Sequence, residues 1–243
     1  MLKRIEPQST DRIAALVIGP SGIGKTSLLR TLCGEGFKNG KWEKYDVAVE
    51  KTCVFSAESG LLCVRDLVVS KEIQGYEINT LDEFKEAQQM CLSEGFKKEG
   101  YKWVFIDSLT EIAARCVEKY KLKYSDARDT FKLWGEYSTA LTDLVKAFRD
   151  MTDFNVVFTC LEAMEKDEDG IGRLMPDIPG SALKNRLTSY FDEVFHMEKT
   201  RDASGYTVRF STASPIGLAK DRSGKLDQYE LPNLLYIKQK IFV

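Results

Sequence analysis

Short apolar runs recur along the chain, separated by stretches of helical spacing. Ile13–Ile18 is apolar throughout and ends at a glycine turn. A run of that length and density reads as a strand covered on both faces. Thr52–Ser56, Trp103–Ile106 and Asn155–Phe158 read the same way, with shorter strand candidates at Val68-Val69 and Tyr76–Ile78. Between them the pattern changes period. A helix is expected from Lys25 to about Cys33, stopped by Gly34 and Gly36, with a loop from Gly34 to Asp46. Thr80-Leu-Asp-Glu83 is a capping box, followed by Leu81, Phe84, Ala87 and Cys91 on one face. Ile112, Cys116 and Tyr120 mark another helix. Leu133, Tyr137, Leu141, Leu144 and Phe148 mark a longer one over Thr130–Arg149.

The C-terminal third is more polar. Glu162–Pro179 reads as a long loop and Ser181–Tyr190 as a helix. Asp192–Lys199 and Tyr206–Thr212 alternate about Asp202-Ala-Ser-Gly205, which predicts a β-hairpin. Apolar strands alternating with helices predict an α/β domain: a mostly parallel central sheet flanked by helices, extended by a C-terminal antiparallel hairpin. A single domain over residues 1–243 accommodates all of it.

Composition narrows the function. Hydrophobic residues make up 43% and charged residues 30%, as in a soluble globular protein. Thirty-five Lys and Arg against 37 Asp and Glu leave a net charge of −2, which argues against a dedicated duplex-binding domain but permits a local basic groove. The six cysteines form no C-x-x-C pair and His196 is the only histidine, so a Cys/His zinc site is not expected. Scattered thiols in apolar runs fit a reducing, cytoplasmic location. The N-terminus lacks the apolar core of a signal peptide, and no apolar run reaches the length of a membrane span.

The chemistry begins where the first strand ends. Gly19, Pro20, Ser21, Gly22, Ile23, Gly24, Lys25 and Thr26 match G-x-x-x-x-G-K-[ST] in full, between a predicted strand and a predicted helix, and Ser27 continues into that helix. Glycines let backbone N–H groups turn inward around a phosphate chain, and a helix N-terminus adds a favourable dipole. Lys25 is placed to meet the β- and γ-phosphates of ATP, and the Thr26 hydroxyl to ligate Mg²⁺. Asp107, closing W-V-F-I-D-S, is the expected second carboxylate on the metal side. Ser108 follows it, so the adjacent Asp-Glu pair of many ATPases is missing. Glu58, in F-S-A-E-S-G after the next strand, is the candidate for orienting the attacking water, with Glu111 and Glu162 as further carboxylates. Thr159, at another strand end, is a candidate for sensing the γ-phosphate.

This order of motifs resembles the RecA/KaiC/RadA branch of P-loop ATPases. Within it the chain resembles phage-encoded RecA-like ATPases described as AAA-domain nucleotide-binding proteins, some of them Sak-type single-strand annealing recombinases. The resemblance rests on G-P-S-G-I-G-K-T, S-A-E-S-G, V-F-I-D-S-L-T-E, L-W-G-E-Y, N-V-V-F-T, P-D-I-P-G and K-D-R-S-G, from about Ile13 to Lys225. It implies an ATPase that assembles as a ring or filament, with ATP at subunit boundaries. Lys220 and Arg222 match the family's K-x-R turn, which reaches a neighbouring subunit's ATP. It also implies single-stranded DNA and a single-strand-binding protein as partners, and a bacterial host cytoplasm as the setting.

The family's DNA loops map to about Lys119–Arg128 and Glu165–Arg186. Lys119, Tyr120, Lys121, Lys123 and Tyr124 interleave cations with aromatics, as a single-strand groove does, and as a solvated helix face also does. Glu165-Lys-Asp-Glu-Asp169 is acidic, which leaves Arg173, Lys184 and Arg186 as the basic candidates there. An ATP-driven switch that binds protein partners without DNA is the alternative function, and the near-neutral charge suits it. Locally, K-D-R-S-G is also simply a good turn.

Overall fold

The computed structural model describes residues 11–38, 41–58, 61–124, 130–166, 170–202, 205–214 and 219–242. Its centre is a ten-stranded sheet. The strands are β1 (Ala14–Gly19), β4 (Thr52–Ser56), β5 (Ile73–Glu77), β6 (Trp103–Asp107), β7 (Asn155–Lys166), β8 (Gly172–Pro176), β9 (Glu193–Asp202), β10 (Gly205–Ser211), β11 (Lys220–Asp221) and β12 (Tyr229–Glu230). Their order is β12-β10-β9-β1-β7-β6-β4-β5, with β11 on β9 and β8 on β7. From β9 to β5 every pairing is parallel, while β8, β10, β11 and β12 pair antiparallel. The predicted architecture holds: a mostly parallel sheet flanked by helices, with antiparallel strands added toward the C-terminal part of the chain.

The period of two along each strand divides the interior into two cores. Leu16, Ile18, Phe55, Ile106 and Phe158 face one side, with α3 (Leu81–Leu92), α5 (Leu109–Lys123), α6 (Thr130–Arg149) and α7 (Ser181–Leu187). Val17, Val54, Phe105 and Phe195 face the other, with α1 (Leu29–Leu32), α2 (Arg65–Val69) and α8 (Leu234–Phe242). A short α4 (Glu94–Lys98) follows α3 and buries Phe96. Phe148 of α6 packs against Phe55, Phe84 and Phe158, joining that helix to α3 and two strands. Truncating such a ring to alanine costs about 3–5 kcal/mol. The Thr80 capping box forms as expected, with both reciprocal bonds to Glu83.

Four expectations change. The stretch after α1 is not a loop but a hairpin of β2 (Glu35–Lys38) and β3 (Lys41–Lys44), which brings Phe37 and Trp42 edge-on at 5.3 Å. Val68-Val69 is the end of α2, not a strand, because Leu67 is the position that faces the core while Val69 is exposed. Glu162–Pro179 is not a long loop. β7 runs on to Lys166 and returns as β8, in a register that sets Glu165 opposite Arg173. That hairpin projects past the covered sheet, so its side chains lose the apolar pattern while its backbone keeps the ladder. Finally, α8 was not expected. It closes the second core with Leu234, Leu235 and Ile237, and Leu234 N donates to Thr31 Oγ1 at 3.2 Å.

Candidate functional site

β1 ends between β7 and β9. At Gly19 a Cβ would lie 2.7 Å from the Met197 carbonyl oxygen on β9, so only glycine lets the chain leave the sheet here. Gly24 holds φ at +104°, a conformation L side chains avoid. A 3₁₀ turn, Thr26–Leu28, then leads into α1. The Lys25 ammonium is buried against its own loop and donates to Gly19 O and Pro20 O, both at 2.8 Å. Burial lowers its pKa, and the carboxylates of Asp107, Glu58 and Glu162 act the other way.

Asp107 ends β6, and β7 stands between β6 and β1. That order puts Thr159 of β7, level with Val17, directly beside the carboxylate. Asp107 accepts from Thr159 Oγ1 at 2.5 Å through Oδ1 and from Thr26 Oγ1 at 2.7 Å through Oδ2. It is only 2% exposed, and burial raises its pKa while the two hydroxyls oppose that shift. The peptide bond to Ser108 is cis. Thr26 and Asp107 thus present adjacent hard oxygens beside the phosphate loop. Mg²⁺ on a nucleotide takes one or two protein oxygens and completes its shell with phosphates and water, so this pair fits it. Among the described residues no cluster of three or more His, Cys, Asp or Glu could hold a metal by itself.

Glu58 follows β4 and is exposed. With Lys25, Thr26, Asp107, Glu111 and Arg115 it lines a cavity of about 670 Å³ at the C-terminal edge of the sheet. Ser59 and Gly60, which complete the S-A-E-S-G match, lie outside the described residues. Glu162 Oε2 meets His196 Nε2 at 2.7 Å, which occupies that carboxylate and gives the histidine a structural partner.

The AAA domain family matches residues 11–223. The chain belongs to this family. Nucleotide binding and ATPase activity are the properties that membership carries, and the P-loop geometry agrees with both. A search of curated proteins gives no match. Among solved structures, the chain is similar to the flagellar accessory protein FlaH from Methanocaldococcus jannaschii, at 10% identity and a TM-score of 0.45, covering 89% of this chain and 83% of that one. It is also similar to a KaiC-like protein from Pyrococcus horikoshii, at 12% identity and a TM-score of 0.41, covering 82% and 77%.

Within this AAA domain the sequence-derived site residues separate into three places. The Gly19–Ser27 loop, Asp107 and Glu58 come together at one edge of the sheet. Thr159 is adjacent but 0% exposed, with its hydroxyl on Asp107, so it holds the carboxylate and does not face the cavity. Lys220 and Arg222 are elsewhere. Lys220 pairs with Val194, which pairs with Leu16. Its ammonium donates to the carbonyls of Thr188 and Phe191. Arg222 bonds Asp192 Oδ1 at 2.9 Å, and Asp192 N donates to Ala14 O, at the start of β1. Gly19 lies five residues along from there, about 17 Å at strand rise. Within one chain both side chains are engaged by groups outside the phosphate loop.

Three of the cations expected at DNA are engaged by carboxylates. Lys119 pairs with Asp82, Lys123 with Glu136 and Lys184 with Glu165, while the Tyr124 hydroxyl also donates to Glu136. Residues 125–129 and the acidic residues 167–169 lie outside the described residues. Two arginines, one lining the cavity and one beside it on α1, escaped the sequence reading. Arg115 lines the cavity one helical turn beyond Glu111 on α5. Arg30 of α1 bonds Glu35 and Asp66.

Proposed function

We propose that this AAA domain binds Mg-ATP and hydrolyses it slowly, with Glu58 as the water-orienting base. One observation carries the reading: Lys25, Thr26, Asp107 and Glu58 line a single cavity at the mouth of the P-loop. Backbone N–H groups of the loop and the Lys25 ammonium bind the phosphate chain. Thr26 and Asp107 hold the metal, which when bound neutralises charge on the phosphates. Glu58, lining the same cavity, accepts a hydrogen bond from the attacking water and orients it in line. Lys220 and Arg222 supply cations to ATP on a neighbouring copy, so that turnover depends on assembly into a ring or filament. The test is Glu58→Gln. Hydrolysis should fall by about 100-fold or more with nucleotide affinity retained. A variant as fast as wild type would show that the base is another residue.

The resemblance to Sak-type phage ATPases makes recombination on single-stranded DNA, with a single-strand-binding protein as partner, the first reading of what hydrolysis drives. The second reading, an ATP-driven switch or loader acting on protein partners, is favoured by the ion pairs that occupy Lys119, Lys123 and Lys184, and by apolar Leu122 and Phe131, the latter 94% exposed. ATPase rates with and without single-stranded oligonucleotides, over a range of salt and with sizing of the complex, separate the two. Phosphate contacts weaken steeply with salt, so DNA stimulation that fades as salt rises supports the first reading. No stimulation at any salt supports the second.

A further inference from the structure

Glu58 is an exposed side chain on a segment connecting β4 to α2, and such a residue can do exacting work only if its backbone is held. Two arginines hold that segment. At its start, Arg115 Nη2 donates to Ala57 O at 2.7 Å, while Nη1 donates to Ile78 O at 3.1 Å and to Asn79 Oδ1 at 2.8 Å. One guanidinium on α5 therefore ties together the exits of β4 and β5. Farther along, Arg30 Nε donates to Cys63 O at 3.0 Å, and its two terminal nitrogens grip the Asp66 carboxylate. Arg30 sits on the helix that the P-loop opens. The base-bearing segment is thus slung between the helix after Asp107 and the helix after the P-loop.

We propose that Arg115 is a positioning residue for Glu58, setting the carboxylate against the attacking water by fixing the carbonyl of the residue before it. This rests on the reading of Glu58 as the base. Arg115 lines the same cavity as Glu58 and Lys25, yet its N–H groups point at Ala57, Ile78 and Asn79. Those bonds use the planar fork of the guanidinium, which bridges acceptors on two different strand exits in a way that a lysine ammonium does not reproduce. Backbone support of this kind matters because displacement of a reacting group by about 1 Å costs on the order of 100-fold in rate. Ala57 N also donates to Asp107 O at 2.6 Å, so the backbone that Arg115 holds is joined directly to the metal-side carboxylate residue.

The test compares kcat and ATP affinity for wild type, Arg115→Gln, Arg115→Lys, Glu58→Gln and the Arg115→Gln/Glu58→Gln pair, with melting temperature as a check on folding. Arg115→Gln should lower kcat by roughly 10- to 100-fold while affinity for a fluorescent ATP analogue stays within about twofold. Arg115→Lys should recover little of the loss. In the Glu58→Gln background, Arg115→Gln should cost nothing further, because it acts through the missing carboxylate. Equal fold losses in both backgrounds would overturn the proposal and make Arg115 an independent phosphate contact. An unchanged kcat in a folded Arg115→Gln protein would reduce it to a structural clamp. If Arg115→Gln does not fold, the same comparison is made with Arg115→Lys alone and combined with Glu58→Gln. A Glu58→Gln enzyme as fast as wild type sinks the base assignment and this proposal together. A slow one with additive losses sinks this proposal alone.

Discussion

Thr26 and Asp107, 81 residues apart, meet hydroxyl to carboxylate at 2.7 Å. The contact joins the helix opened by the P-loop to the end of a strand that is not its neighbour. Thr159 occupies the strand between and fastens the other carboxylate oxygen. The two threonines leave Asp107 little rotational freedom, and the order of strands explains why both are within reach.

Thr159 is therefore expected to tune the metal side of the site without touching nucleotide. Outer partners of a metal-side carboxylate are worth about 10- to 100-fold in metal affinity or activity. Thr159→Val keeps the shape and deletes the hydroxyl. It should raise the Mg²⁺ concentration needed for half-maximal ATPase by about tenfold, and Thr159→Ser should restore most of the loss. A Mg²⁺ titration of each variant decides it. If Thr159→Val titrates like wild type but binds ATP poorly, the hydroxyl serves the γ-phosphate directly.

The same pair of strands shows what a linear reading can and cannot supply. Ile13–Ile18 and Trp103–Ile106 were legible because strands buried on both faces are apolar at every position. Thr130–Arg149 was legible because its stripe from Leu133 to Phe148 keeps one period for about four turns. The phosphate loop and Asp107 were legible because their chemistry demands those residue types at those junctions. Thr159 was visible as a strand-end threonine, but its partner follows from β7 lying between β1 and β6, and strand order is a tertiary property. Val68-Val69 misled because two β-branched residues outweigh a single buried leucine in a short window. β8 was hidden because its residues leave the covered part of the sheet. Arg115 carries no motif at all, since its bonds go to main-chain carbonyls that every residue possesses.

Glu193 gives a prediction in pH. It opens β9, is 2% exposed and accepts from Ser223 N at 3.1 Å through Oε1, while Oε2 finds no donor among the described residues. Asp221 beside it already accepts from Ser223 Oγ, Gly224 N and Leu226 N. Burial, then the Asp221 charge and a shared hydrogen bond with it, push Glu193 from the ordinary 4.5 up to about 8. Lys220, Arg222 and Asp192 are the other charges near this pair. Between those two values the folded state keeps a proton that the unfolded state has lost, so stability falls as pH rises from 4.5 towards 8 and then levels. Glu193→Gln removes the titration and keeps a hydrogen-bond donor. Its melting temperature should fall less than that of wild type between about pH 5 and about pH 9, leaving the variant the more stable at the alkaline end. Parallel melting curves across that range would mean that Glu193 is ionised throughout.

Lys220 and Arg222 carry the sharpest prediction about assembly. Lys220 lies on β11, level with Leu16 through Val194, Arg222 follows in the turn, and both are occupied within their own chain by Thr188 O, Phe191 O and Asp192. Burial lowers the pKa of Lys220 and the neighbouring Arg222 charge lowers it further, so this ammonium gains from an anion brought to it. On the proposed reading, their target is the nucleotide of a neighbouring copy. Lys220→Ala and Arg222→Ala should therefore lower turnover of the assembled protein by 10-fold or more, an order set by cations acting on a transferring phosphoryl group. Affinity for ATP at concentrations where the protein is monomeric should stay at the wild-type value. Mixing either variant with a Glu58→Gln chain adds a second readout. Each protein alone is slow, but a mixed assembly contains boundaries where an intact Glu58 faces an intact Lys220 and Arg222, and activity should reappear there. If the mixture stays as slow as its parents while still co-assembling, or if the single variants lose ATP binding as monomers, the pair does not act across a boundary.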